Sequence, residues 1–193
     1  MMKSRLSSWI KVVGVAVVLL LAAGGGYYYF FTPSDALFQT SKNIYEFNYD
    51  RDAQDIKDLF ASEHYWLSAN EDYSVEFMLK KRAPNEWQPQ YFGKFNIRVL
   101  RENGEFKGFT GYYKKSPFLG QLLFLAVKKE ERGKGYGKML IDYAIQALWN
   151  LGSRQILILT RTTNLKAQEL YNRLGFQEFN RSDGFVYFVM KKP

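Results

Sequence analysis

The sequence predicts a mixed α/β domain, a mostly antiparallel sheet flanked by helices, preceded by one hydrophobic transmembrane helix. Three observations carry this. Asn103-Gly104 separates two apolar runs, Phe95 to Arg101 and Phe106 to Lys114, and such a pair is the strongest short-range signal for a β-hairpin. A further apolar run, Leu122 to Val127, leads through Arg132-Gly133-Lys134-Gly135-Tyr136-Gly137 into Leu140, Tyr143, Ala144, Ala147, Leu148 and Leu151, which recur at helical spacing. Finally, no charged residue lies between Val12 and Ser34. Hairpins followed by a strand–helix–strand unit give a mixed sheet.

The segments divide as 1–34, a basic segment and anchor; 35–43, a linker; and 44–193, the folded domain. A helix rising about 1.5 Å per residue needs roughly 20 apolar residues to cross a hydrocarbon core. Val12 to Leu21 is almost wholly aliphatic, and Tyr27 to Phe31 supplies aromatics for the exit interface. The competing reading is a signal peptide cleaved near Ala22-x-Gly24, which would leave those aromatics exposed at a soluble terminus. Lys3, Arg5 and Lys11 precede the span, and by charge asymmetry this places the domain outside the cytoplasm.

In the domain, Ile44 to Tyr49 alternates like a strand. Asp50 or Asp52 is expected to cap a helix carrying Ile56, Leu59 and Phe60, and a second helix is expected over about Tyr73 to Lys81. Prolines mark Ala83 to Gln90 as a loop. Leu119 to Val127 is the strand before the glycine turn. A strand over Gln155 to Thr162, a helix over Leu165 to Leu174, and strands near Phe176 to Asn180 and Phe185 to Met190 complete the order, the last two joined at Ser182-Asp183-Gly184.

Composition narrows the chemistry. The 193 residues include no cysteine and one histidine, His64, which excludes disulfides, thiolate zinc sites, a cysteine nucleophile and a histidine-rich metal centre. No metal is expected. The net charge is +8, of which Lys3, Arg5 and Lys11 carry three. The surplus suits an anionic ligand, an acidic partner or simply a solvated basic surface. No basic stripe with interleaved aromatics points to nucleic acid.

Strand, glycine turn and helix together aim backbone N–H groups and a helix dipole at an anion. The turn lacks the G-x-G-x-x-G spacing of dinucleotide sites, because Lys138 stands sixth from Gly133, and no nucleoside-triphosphate loop is present. What remains is Arg132-x-x-Gly135-x-Gly137. Downstream, Asn164-Leu165-Lys166-Ala167-Gln168-Glu169-Leu170-Tyr171-Asn172-Arg173-Leu174-Gly175-Phe176 reads N-x-x-A-x-x-L-Y-x-x-L-G-F. The two motifs together resemble the GNAT superfamily of acyl-CoA-dependent N-acyltransferases, and the resemblance covers about Ile44 to Lys192.

The resemblance implies acetyl-CoA as co-substrate and a primary amine as acceptor. Its pyrophosphate would lie on the backbone of Arg132, Gly133, Lys134, Gly135, Tyr136 and Gly137, with charge from Arg132 and Lys134. Its pantetheine arm would pair with Leu125, Ala126 and Val127, where the strand splays from its neighbour. Tyr171 would protonate the leaving thiolate, and Asn164 would touch the cofactor. From spacing alone, Ala167, Leu170, Tyr171 and Leu174 form an apolar helix face on which a tyrosine fills core, and Asn164 suits a helix N-cap.

In relatives that acetylate protein N-termini, a glutamate five residues before this asparagine serves as base; here that position is Leu159. Glu63 and His64 are the remaining candidates, and His64 beside Tyr65 and Trp66 also fits a structural role. Without a base, an α-amine with a pKa near 8 is a better acceptor than lysine near 10.4. Ser62 to Trp66 and Trp87 to Phe92 are the expected acceptor walls. Cytosolic acetyl-CoA conflicts with the orientation read from the charges, so the side of the membrane stays open. A non-catalytic CoA-binding or interaction module at a membrane is the alternative.

Overall fold

The computed structural model describes residues 43–68, 72–81 and 94–193. The expected anchor, most of the linker, the proline loop and the wall at Trp87 to Phe92 lie outside these residues. Among the described residues no helix is long and apolar enough to cross a membrane.

In chain order the elements are β1 (Ile44–Glu46), α1 (Tyr49–Ser62), α2 (His64–Leu67), α3 (Val75–Lys81), β2 (Asn96–Glu102), β3 (Glu105–Ser116), β4 (Leu119–Val127), α4 (Tyr136–Asn150), β5 (Gln155–Arg161), α5 (Leu165–Arg173), β6 (Gln177–Ser182) and β7 (Phe185–Lys191). A 3₁₀ turn, Lys129–Glu131, follows β4. The seven strands form one sheet in the order β1-β2-β3-β4-β5-β7-β6. Every neighbouring pair is antiparallel except β4 and β5.

The two hairpins follow from their turn residues. Asn103 and Gly104 both have positive φ (52° and 82°), as do Asp183 and Gly184 (51° and 78°), the backbone of a two-residue turn whose twist matches the strands. The first strand is shorter than its alternation predicts. It ends at Glu46, and the cap of α1 is Asn48, whose side chain accepts from the Arg51 N–H at 3.0 Å. Asp52 is not the cap but returns a bond to it, accepting from the Asn48 N–H at 2.9 Å. Its carboxylate is fully buried against Arg51 and Arg101, 2.8 and 2.9 Å away.

Apolar side chains pack on both faces of the sheet. On one, α1 and α3 cover Phe95, Ile97, Val99, Phe109, Tyr113, Phe124 and Ala126. On the other, α4 and α5 cover Tyr112, Leu122, Ile156, Ile158, Val186 and Phe188. Leu122 and Phe124 lie two residues apart yet belong to opposite faces. The reason is a bulge: Gly111 pairs with Phe124 while Tyr112 pairs with Leu122, leaving Leu123 as an extra residue. An inserted residue inverts the side-chain alternation and bends the strand.

Candidate functional site

The bulge organises the site. β4 pairs with β5 only over Leu119 to Gln121, opposite Gln155 to Leu157. Beyond Leu123 the strands part, so the β5 side of Leu125, Ala126 and Val127 has no ladder in β5. On the other side β3 is held tightly. Thr110 Oγ1 donates to the Phe124 carbonyl at 3.0 Å, and a Cβ on Gly108 would stand 2.3 Å from the Ala126 carbonyl oxygen. The separation at the end of β4 is therefore a built feature.

Past Val127 the chain makes the 3₁₀ turn and enters α4 through Gly133 and Gly135, at φ 84° and 89°. Side chains rarely adopt these values. A Cβ on either glycine would meet nothing within 4 Å, so the turn opens outward. Gly135 is the N-cap of α4 and provides no side-chain bond to its first amides. Those amides and the helix dipole are available to an anion. Gly133 and Gly135 leave the space that the expected cradle needs, and a phosphate group fits its chemistry, whereas Gly137 lies within α4 with its Cβ position facing Leu170 and Val127. Tyr136 contributes backbone only. Its ring packs inward with Leu100 and Leu140, and its hydroxyl donates to Glu102, a bond that raises the phenol's pKa.

The two cations expected to add charge are already paired. Arg132 lies 2.7 Å from Glu63 and donates from Nε to the Val127 carbonyl at 3.1 Å. Lys134 lies 2.6 Å from Glu131, which also holds the buried Lys107 at 2.8 Å. Lys107 and then Lys134 hold the Glu131 carboxyl below its ordinary range. The turn is thus tied to β3 through Lys107 and to the end of α1 through Glu63.

The second motif meets the first. Leu170 Cδ2 stands 3.8 Å from where a Gly137 Cβ would be, which sets α5 against the start of α4. Asn164 is the N-cap of α5 and accepts from the Ala167 N–H at 3.3 Å, so the capping role is realised. Tyr171 is 5% exposed and packs edge-on to Phe188 (5.6 Å) and tilted to Phe176 (6.1 Å). It shares its apolar cluster with Leu122, Leu125 and Ile158, from the two strands that part. Burial raises its phenol well above the ordinary value, so the proton stays on.

α2 crosses near the ends of both strands. Glu63 precedes it and reaches Arg132. Arg161, at the end of β5, donates to the carbonyls of Tyr65 and Ser68 and lies 4.1 Å from the Tyr65 ring centroid. Tyr65 and Trp66 are exposed. His64 packs edge-on to Phe60 at 5.9 Å, with Nε2 buried and unpartnered. Neither base candidate is therefore presented freely: Glu63 is ion-paired, and the His64 ring is turned into the core. Sequence reasoning missed the Glu63–Arg132 pair and the Arg161 contacts, because 69 and 96 residues of chain separate the partners Glu63–Arg132 and Tyr65–Arg161. Gly108 and the run of apolar residues across Leu123 were visible but carried no spacing that marks a bulge.

This arrangement has known counterparts. A family model described as "Acetyltransferase (GNAT) family" matches residues 43–176. The chain belongs to the acetyltransferase (GNAT) family. The uncharacterized N-acetyltransferase YhfO of Bacillus subtilis (strain 168) is 29% identical over 148 residues, covering 74% of this chain and 93% of that protein. N-alpha-acetyltransferase 30 of Schizosaccharomyces pombe is 34% identical over 78 residues, 36% of this chain and 52% of that protein. Among solved structures, PaiA N-acetyltransferase from Thermoplasma acidophilum in complex with coenzyme A matches with a TM-score of 0.63 at 16% identity, covering 77% of this chain and 98% of that one. The ribosomal-protein-alanine N-acetyltransferase from Brucella melitensis matches at 0.61 and 17%, covering 77% and 99%. At such identities these structures share the GNAT fold with this chain.

Proposed function

We propose that this GNAT protein transfers an acetyl group from acetyl-CoA to a primary amine. The observation that carries the reading is the parting of β4 from β5 beside an uncapped glycine-turn helix, with a buried, protonated tyrosine beneath. The solved Thermoplasma relative was obtained with coenzyme A, which supports the same co-substrate here.

When bound, acetyl-CoA supplies a thioester: the amine nitrogen bonds to its carbonyl carbon, the carbon–sulfur bond breaks, and the sulfur leaves as a thiolate. Arg132 to Gly137 would bind the pyrophosphate through backbone N–H groups. Leu125, Ala126 and Val127 would align the pantetheine amides as an added strand, and an amide near Val127 would polarise the carbonyl. Tyr171 would give its proton to the sulfur, and the proton that the nitrogen sheds on becoming an amide would pass to solvent, from which the phenolate recovers its own. Reference pKa values make the transfer to sulfur uphill by about 1.5 units, roughly 2 kcal/mol, but the burial that raises the phenol would raise a thiol held beside it as well.

With Leu159 at the position of a base, the amine has to arrive deprotonated. This favours an α-amine or another low-pKa amine, in keeping with the names of the Schizosaccharomyces and Brucella relatives. We further propose that Val12 to Ser34 anchors the domain to a membrane as a single span. A reporter fused after Pro193 and active on one side only would reveal the orientation.

The test of activity is thiol release from acetyl-CoA by the full chain across α-amine peptides, lysine peptides and small amines. Turnover with at least one amine is expected. Calorimetric binding of CoA without release on any amine would leave a CoA-binding module, and no binding would remove the reading altogether.

A further inference from the structure

The ion pair between Glu63 and Arg132 joins two parts of the site that the chemistry uses separately. Arg132 opens the glycine turn, and in this structure its guanidinium is held 2.7 Å from a carboxylate that is only 13% exposed. Glu63 also begins the one-turn helix α2, whose amides at Leu67 and Ser68 bond back to the Glu63 and His64 carbonyls. Arg161 holds α2 through the carbonyl of Tyr65, within its single turn, and that of Ser68, its C-cap. The segment is a strap, one end fastened to the turn after β4 and the other to the end of β5, across the place where those strands part.

Resting on the acetyl-CoA reading above, we propose that Glu63 is a positioning residue that competes with the coenzyme's pyrophosphate for Arg132. The Nε and Nη2 edge of Arg132 is already taken by the Val127 carbonyl and Glu63, so a pyrophosphate that draws on this edge does so in competition with Glu63. A dianionic pyrophosphate on the α4 N-terminus draws it from Glu63, and the strap loses its fastening on the β4 side. Trp66, exposed and outside the contacts of Arg161, then becomes free to adjust around an acceptor. Coenzyme binding is thereby made a condition of acceptor entry, at the cost of some coenzyme affinity.

The sign of one affinity change decides the matter. A residue that merely buttresses Arg132 weakens CoA binding when removed, and a competitor strengthens it. For an ion pair of this exposure, Glu63→Gln should bind CoA about two- to fivefold more tightly than wild type in calorimetry of the full chain. In an Arg132→Gln background the same substitution should change nothing. Unchanged or weaker binding by Glu63→Gln, or an equal gain without Arg132, would overturn the proposal while leaving the acetyl-CoA reading intact. Failure of the wild-type chain to bind CoA would remove both.

Should Glu63→Gln not fold, hydrogen exchange in the wild-type chain gives the answer. Adding CoA should speed exchange at the Leu67 and Ser68 amides, whereas unchanged or slower exchange there would refute the strap.

Discussion

Replacing Tyr171 by phenylalanine removes one oxygen and nothing else from the apolar cluster between α5 and the sheet. The ring keeps its contacts with Phe176 and Phe188. The hydroxyl has no hydrogen-bond partner among the described residues, and burial is the one influence on its pKa. No intramolecular bond worth about 1 kcal/mol is therefore lost. Stability should change by less than about 1 kcal/mol, a shift of at most about 4 °C in Tm for a chain of this size. A missing general acid, by contrast, lowers turnover by about 100-fold or more, or at least about 2.7 kcal/mol of barrier. The assay is thiol release under saturating acetyl-CoA and amine, with CoA affinity by calorimetry and a thermal melt in parallel. We expect kcat to fall about 100-fold while Kd for CoA and Tm hold. The raised phenol adds a second expectation: any loss of rate from Tyr171 ionisation sits above pH 10, so a descending limb near pH 8 belongs to another group. A Tyr171→Phe protein that is folded, binds CoA and turns over within about threefold of wild type would refute the acid role. Tyr171→Ala would not serve, since deleting a buried ring costs about 3–5 kcal/mol.

Three further outcomes follow from the geometry. Gly108→Ala drives a Cβ into the Ala126 carbonyl at 2.3 Å, so it should cost about 1–3 kcal/mol in urea unfolding and weaken CoA binding by shifting β4. Gly135→Ala meets no atom within 4 Å but sits at φ 89°; it should cost only about 1–2 kcal/mol of stability yet reduce CoA affinity on the order of tenfold in calorimetry, because the new methyl enters the cradle. Asp52→Asn removes the charge facing Arg51 and Arg101 and should cost about 3 kcal/mol. Burial pulls the Asp52 carboxyl up, but bonds from Arg51, the Asn48 N–H and Arg101 outweigh it and leave the pKa lowered. Its contribution is therefore full above the ordinary carboxylate pKa of about 3.9 and fades as pH falls through the lower folded value. The wild-type melting temperature should drop across that window more steeply than that of Asp52→Asn.

Much of the fold was legible because its signals are local. Asn103-Gly104 and Ser182-Asp183-Gly184 specify turns by residues that tolerate positive φ, and the structure realises both hairpins. The helix after the glycine turn and the strand Leu119 to Val127 follow from apolar spacing. Leu151, counted with the helix face, instead follows its last turn and is exposed. The start of α1 departs from the sequence pattern: alternation through Tyr49 suggests strand, where Asn48 begins a capped helix. Alternation over so few residues competes poorly with a cap whose bonds are made by its own neighbours.

For the site, the sequence by itself determined which residues lie next to one another along the chain: an anion-receptive turn after a strand, and an N-capped helix carrying Tyr171. Its motifs sufficed to point to the family that the comparison with known proteins then showed. Only the tertiary structure decided what those residues meet. It set Leu123 as the bulge that parts β4 from β5, brought Leu170 against the start of α4, and paired Arg132 with Glu63 and Lys134 with Glu131. The physical reason is range. A turn or a cap is satisfied by atoms a few residues away, so residue types reveal it. A guanidinium takes whichever carboxylate the packed sheet delivers, and no spacing along the chain records that choice.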